Sequence, residues 1–190
     1  MRSLALISLL CALCALPATA PGASGGSKSA VVVGDSLAVG TGPYLPGLLP
    51  GWQVRQIARS GVATAYGVDR VRALGSALPH YLVLSLGTND DPRAVTRFRE
   101  SIRAVLAVAG SRRCVVWPNI VRPRTLGATY AGLNRALAEE AAAHSRLKVV
   151  DWRGLTKAHQ DWLRADGVHA TVAGYRGRAA AIARALATCG

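Results

Sequence analysis

Ala30-Val31-Val32-Val33-Gly34-Asp35-Ser36-Leu37 is the stretch that decides the fold. A short, continuously apolar and mostly β-branched run stops at a glycine and a polar pair, and then an apolar pattern resumes. A run of this kind suits a strand covered on both faces. Gly34 permits a sharp turn, and Ser36 stands where the strand hands over to a helix, which can expose its hydroxyl.

The same grammar recurs along the chain. Gln53–Ile57, Tyr81–Leu86, Cys114–Trp117 and Lys148–Asp151 are further strand candidates. Between them, Val95, Phe98, Ile102, Val105 and Ala109 recur at helical spacing, with arginines at 93, 97, 99 and 103 among the other positions. Near the end, Val172, Tyr175, Ala179, Ile182 and Leu186 repeat that spacing, and Thr171 is placed to cap the helix. Alternating β and α units predict an α/β fold, with a parallel five-stranded sheet and helices on both faces. Residues 30–190 form one domain without internal repeats. In such sheets sites form beyond the carboxyl ends of the strands. Four polar, glycine-containing segments lie there: Gly34-Asp35-Ser36-Leu37, Arg59-Ser60-Gly61-Val62, Gly87-Thr88-Asn89-Asp90, and Asp166-Gly167-Val168-His169 before the last helix.

The N-terminus reads as a targeting segment. Met1-Arg2-Ser3 precedes a predominantly apolar run from Leu4 to Leu16, shorter than the roughly 20 residues a membrane-spanning helix needs. Small residues follow, as in a secretory signal peptide over residues 1–22, with cleavage after Ala20 or after Gly22. Residues 23–29 form a flexible lead-in. Export gives the cysteines their meaning. Cys11 and Cys14 leave with the signal, and Cys114 and Cys189 remain as one candidate disulfide in an oxidising compartment. Closing a loop of that size adds on the order of 4 kcal/mol in the chain-entropy model.

The chain has 190 residues, 51% hydrophobic and 17% charged, a composition that excludes long disorder. Its 23 Lys and Arg against 10 Asp and Glu give a net charge of +13, and loss of Arg2 with the signal lowers this only to +12. That excess suits an anionic partner. Nucleic acid is not the expected one, because the arginines are spread along the helices, no aromatic-basic binding motif stands out and the chain is read as exported. An anionic cell-envelope surface, touched peripherally, is the better match. The protein is expected to act as a monomer.

The chemistry of the four segments converges. A serine attacking a carbonyl needs a base, and His169 is the best placed of the four histidines. Asp166, three residues earlier, can orient the imidazole and stabilise its charged form. The backbone N–H groups of Ser36 and Gly61 and the side-chain amide of Asn89 can donate to the oxyanion. Asp35 braces the turn. Arg122 and Arg124, after the fourth strand, are the basic residues expected nearest a substrate, and Trp162 is a candidate to line the cleft. No Cys/His cluster has metal-ligand spacing, so neither metal nor cofactor is expected.

Taken in order, these blocks resemble the SGNH/GDSL hydrolase superfamily, and the likeness covers nearly all of the chain from Ala30 to the final helix. The resemblance implies a flavodoxin-like three-layer α/β/α sandwich and metal-free acyl-ester chemistry. Carried across, Ser36 is the nucleophile, Asp166 and His169 complete the triad, and Gly61 and Asn89 are oxyanion donors. The second block departs from the family, which commonly places an asparagine just before the glycine where this chain has Arg59-Ser60. Asn119-Ile120-Val121-Arg122-Pro123 and Val149-Val150-Asp151-Trp152 are similar to stretches of SGNH domains fused to membrane acyltransferases that act on cell-envelope sugars. The expected function is thus a secreted serine esterase hydrolysing a short acyl ester. The alternatives are an O-acyltransferase or deacetylase acting on envelope carbohydrate, or a degenerate domain that only binds glycan or lipid.

Overall fold

Residues 28–189 are described by the computed structural model, so the signal peptide expected over residues 1–22 and residues 23–27 of the expected lead-in lie outside the described residues. Five strands, β1 (Ser29–Gly34), β2 (Gln53–Ala58), β3 (Tyr81–Ser85), β4 (Cys114–Pro118) and β5 (Leu147–Val150), pair in the order β2-β1-β3-β4-β5. Every pairing is parallel. This is the flavodoxin-like order, in which the chain reverses direction across the sheet between β1 and β3 and leaves a crevice there. Ser36, directly after β1, sits at that reversal.

The continuously apolar strands divide their side chains between two layers, because successive residues point to opposite faces. Val31, Val33, Leu82, Leu84, Val115 and Trp117 pack with α3 (Thr64–Leu74), α4 (Val95–Ala109) and α5 (Ala131–Ala143). Ala30, Val32, Val83, Cys114 and Val116 pack with α1 (Ser36–Thr41), α2 (Leu45–Leu48) and α7 (Val172–Ala187). The short α6 (Trp152–Ala158) lies against α7. Cys114 at the start of β4 is joined to Cys189 just beyond α7, 75 residues away, with the Cα atoms 5.8 Å apart. The link fastens α7 at the sheet edge opposite the site.

In α4 the residues at helical spacing, Phe98, Ile102, Val105 and Ala109, are all buried. The stripe predicted for α7 is buried only from Ala179 onward, at Ala179, Ile182 and Leu186. Val172 is 57% exposed, and Tyr175 is half-buried over Gly40. Arg178, which shares the stripe's helical face with Ile182, is buried instead. Seven strand limits also differ from the expected ones, each by one residue, and three of them carry a structural consequence. β1 starts at Ser29, within the expected lead-in, because Lys28 already accepts a hydrogen bond from Gln53. Leu86 lies just past β3, although it is buried. β5 ends at Val150, and Asp151 turns out of the sheet to cap α6 by accepting from the Gly154 N–H at 2.9 Å.

Candidate active site

Below the serine, the turn after β1 is held from several sides. A Cβ on Gly34 would come within 2.7 Å of the Ser85 carbonyl oxygen, so only glycine lets β1 end this close to β3. Asp35 donates its N–H to that carbonyl at 3.1 Å, and its Oδ1 accepts from the Leu37 N–H at 2.9 Å, capping α1. The Asp35 side chain is buried, and burial raises its pKa above the usual carboxylate value. The Leu37 N–H and the positive charge of Arg178 pull in the opposite direction.

Arg178 itself is 2% exposed. It donates to Ser85 Oγ at 2.8 Å and lies 5.2 Å from the centre of the Trp152 ring. Its Nε and Nη1 have no hydrogen-bond partner among the described residues, and burial lowers its pKa to about 10. Spacing along α7 could have placed residue 178 inward. Nothing in the sequence announced that a charged residue there would face Asp35.

Above this turn, Ser36 Oγ stands 3.0 Å from His169 Nε2, across 133 residues of chain. His169 Nδ1 lies 2.7 Å from Asp166 Oδ2, while Asp166 Oδ1 accepts from the N–H groups of Val168 and His169, both at 2.9 Å. The bond to His169 and these two backbone bonds hold the Asp166 carboxyl at about 2, well below its ordinary value. With an ionised Asp166 accepting at Nδ1, that nitrogen carries the proton and Nε2 faces the serine as an acceptor. Gly167, at φ +64°, makes the tight turn that lets Asp166 reach His169.

The neighbouring loops are tied to one another. Asp90 Oδ2 accepts from both the N–H (3.0 Å) and the Oγ1 (2.7 Å) of Thr64, fixing the segment after β2 to the segment after β3. Asn89 Nδ2 donates to the Val62 carbonyl at 3.1 Å and to Asp35 Oδ2 at 3.3 Å. Its Oδ1 accepts from Arg122 Nη1 at 3.1 Å, and that same nitrogen donates to the Thr88 carbonyl at 2.8 Å. A donor on one side of the amide and acceptors on the other fix which way it faces. Asp90 thus fixes the loop that carries its neighbour Asn89, and Arg122, 33 residues further on, holds the amide itself, a role that the sequence did not suggest for it.

Ser36, Gly61, Asn89, Asp166 and His169 all line one open cleft of about 510 Å³. Ser60, Pro123 and Thr125 join them, as do Arg122 and Arg124. Gly61 sits at φ +77°, a left-handed conformation that suits glycine. Trp162 is not a lining residue, contrary to expectation. Its ring stacks on His159, with centroids 4.1 Å apart, and lies 6.0 Å from Trp152, so its apolar area is used in packing α6 against α7. Among the described residues, no three His, Cys, Asp or Glu side chains are grouped as a metal site.

A sequence model for the GDSL-like lipase/acylhydrolase family matches residues 32–176. Among curated proteins, no sequence relative matches the chain. Several solved structures share its fold. The catalytic domain of peptidoglycan O-acetyltransferase A from Streptococcus pneumoniae superposes with a TM-score of 0.70 at 23% identity, covering 86% of this chain and 94% of that one. The structure of TesA has the same TM-score and identity, covering 86% of this chain and 100% of its own. A family 3 carbohydrate esterase from Clostridium thermocellum follows, with a TM-score of 0.66 at 17% identity over 86% of this chain and 99% of that one. With the family match spanning most of its length, the chain belongs to the GDSL-like lipase/acylhydrolase family of enzymes acting on ester bonds.

Proposed function

We propose that this protein is an exported serine esterase that hydrolyses a short acyl ester through an acyl-enzyme on Ser36. The observation that carries the reading is the unbroken chain of contacts from Asp166 through His169 to Ser36 Oγ, 2.7 Å and 3.0 Å long. In this mechanism His169 Nε2 takes the hydroxyl proton as Ser36 Oγ bonds to the ester carbonyl carbon. The negative charge that develops on the carbonyl oxygen is met by the N–H groups of Ser36 and Gly61 and by the Asn89 amide, which gives up its longer bond, 3.3 Å to Asp35 Oδ2, to reach it. His169 then gives its proton to the departing alcohol. A water molecule, deprotonated by the same nitrogen, releases the acid and restores Ser36. Asp166 orients the ring and stabilises its charged form throughout. Export is supported by the signal-like segment at residues 1–22 and by the Cys114–Cys189 link.

The test is hydrolysis of short p-nitrophenyl esters by wild type and Ser36→Ala. Loss of the nucleophile should lower kcat by about 10⁴-fold or more. Equal rates in both proteins would sink the assignment. Binding of envelope polysaccharide by both, with no turnover by either, would favour a binding module instead.

A second reading is acyl transfer to or from envelope carbohydrate. It is favoured by the open rim of the cleft, where Arg124 and Asp166 are exposed and a large acceptor can approach. The fold it shares with an O-acetyltransferase domain and a carbohydrate esterase is consistent with that reading. Acetylated oligosaccharide formed from an acetyl donor, in place of free acetate, would establish transfer.

A further inference from the structure

The charges in the cleft do not balance. Asp166 is the one carboxylate among its lining residues, and both of its oxygens are engaged by His169 and the backbone of its own loop. Arg122 and Arg124 face it without any acidic partner among the described residues. Arg122 Nη1 is bonded to two neutral oxygens, the Thr88 carbonyl and Asn89 Oδ1, and Arg124 Nη1 to the neutral Gly127 carbonyl at 3.1 Å. Among the described residues only three arginines pair with carboxylates, and none of the three lies in the cleft. Arg93 pairs with Asp91, Arg99 with Glu139 and Glu140, and Arg103 with Glu140. The two cleft arginines keep their remaining N–H donors for something else.

They are also held in place. Arg122 is half-buried and fixed by two hydrogen bonds, Pro123 restricts the backbone between the pair, and Thr125 and Ala128 exchange two backbone hydrogen bonds that close the loop behind Arg124. A guanidinium with its orientation already fixed loses less freedom on binding an anion, and its fork matches the oxygens of a carboxylate or phosphate.

We infer that the substrate is an ester whose alcohol portion carries a carboxylate or phosphate, held by Arg122 and Arg124 while Ser36 attacks the acyl carbon. The inference rests on the esterase reading and deepens it. Because the acyl group in that reading is short, the charge belongs to the alcohol side. Recognition through Arg122 also couples binding to chemistry, since the same guanidinium supports the Asn89 amide.

The experiment compares three acetyl esters of similar shape: 3-acetoxybenzoate, 3-acetoxyphenyl phosphate and the neutral 3-acetoxybenzamide. Each kcat/KM is divided by the rate of hydroxide-catalysed hydrolysis, so that intrinsic reactivity cancels. Wild type should prefer the charged esters by about tenfold or more, the scale of one charge-assisted hydrogen bond. The preference should shrink at about 1 M salt, where charges are screened beyond ~3 Å. Arg124→Gln, at an exposed position that does not endanger folding, should remove most of the preference, and Arg122→Lys, which keeps charge but loses the fork, part of it. Arg112→Gln, an equal loss of charge at the opposite sheet edge, should leave the preference intact. Whichever charged ester leads tells a carboxylate from a phosphate ligand. Equal normalised rates on charged and neutral esters, or a preference that survives Arg124→Gln, overturns the inference while leaving the esterase standing. Failure of wild type to cleave any of the three would overturn the esterase reading itself.

Discussion

Asp35, in the turn beneath Ser36, is wholly buried, whereas Asp166, in the loop that carries His169, has a side chain 48% exposed. Both serve the same serine, and their surroundings push them in opposite directions. Burial raises the pKa of Asp35, and hydrogen bonds from His169 and two backbone N–H groups lower that of Asp166 to about 2. The exposed carboxylate is therefore the reliably charged one. It owes this to three hydrogen bonds and not to a buried salt bridge. The buried carboxylate depends on a second buried ion, Arg178, which itself carries two unpartnered nitrogens. In the proposed mechanism the chemistry falls to the exposed loop and the construction of the turn to the two buried residues, and each half can be broken separately.

The largest effect is expected from the exposed side. Asp166→Asn leaves an oxygen that can still accept from the backbone but removes the charge that stabilises the imidazolium. In the proposed mechanism kcat on a p-nitrophenyl ester falls by about 10³ to 10⁴-fold. Thermal melting at neutral pH should hardly move. A variant that loses activity only in proportion to a lowered Tm would place Asp166 in the architecture and collapse the distinction.

Arg178→Met should behave in the opposite way. It removes both the hydrogen bond to Ser85 Oγ and the positive charge that opposes the burial of Asp35, which together cost about 3 kcal/mol, or roughly 6–12 °C in Tm for a domain of this size. It should move kcat far less than Asp166→Asn does. The pH dependence has a definite sign. A carboxyl whose folded pKa is raised contributes stability that is present below its unfolded value and lost as pH rises through the folded one. The penalty of Arg178→Met should thus be small near pH 3.8, the ordinary value for Asp35, and grow as pH rises. Adding Asp35→Asn, which keeps the capping oxygen, should flatten that slope. A penalty independent of pH would mean that Arg178 acts through packing on Trp152 and not through Asp35.

The two halves were unequally legible in the sequence. Strand positions could be read because a parallel sheet covered on both faces demands short apolar runs, and all five lie within two residues of where those runs stand. The four polar segments could be read because chain order and the rule of strand ends bring them to one edge, and Ser36, Gly61, Asn89, Asp166 and His169 do share one cleft. The hidden features depend on side-chain direction at a single turn of helix. Val172 lies on the stripe by spacing but is exposed in the first turn of α7, while Arg178, polar by type, points inward. Trp162 is close in sequence to the loop that carries Asp166 and His169, yet its ring stacks on His159 and does not line the cleft. Spacing along the chain reports which face a residue is on, and contact across elements decides what that face meets.

The smallest effect sharpens the comparison most. The folded pKa of Asp166 lies at about 2, below its ordinary 3.8, so its contribution to stability is present above the unfolded value and lost as pH falls through the folded one. Because the side chain is nearly half exposed, solvent screening keeps that contribution small. The Tm gap between wild type and Asp166→Asn should stay constant from neutral pH down to 3.8 and close as pH falls toward 2. Asp35 produces the opposite slope, so acid that erases the benefit of the exposed carboxylate relieves the burden of the buried one. Should the gap persist unchanged down to pH 2, the carboxylate charge would not be its source, because Asn keeps the oxygen that accepts from Val168 and His169, and the poorer fit of the amide in the loop would account for it. Its charge would then matter only to the imidazole it orients.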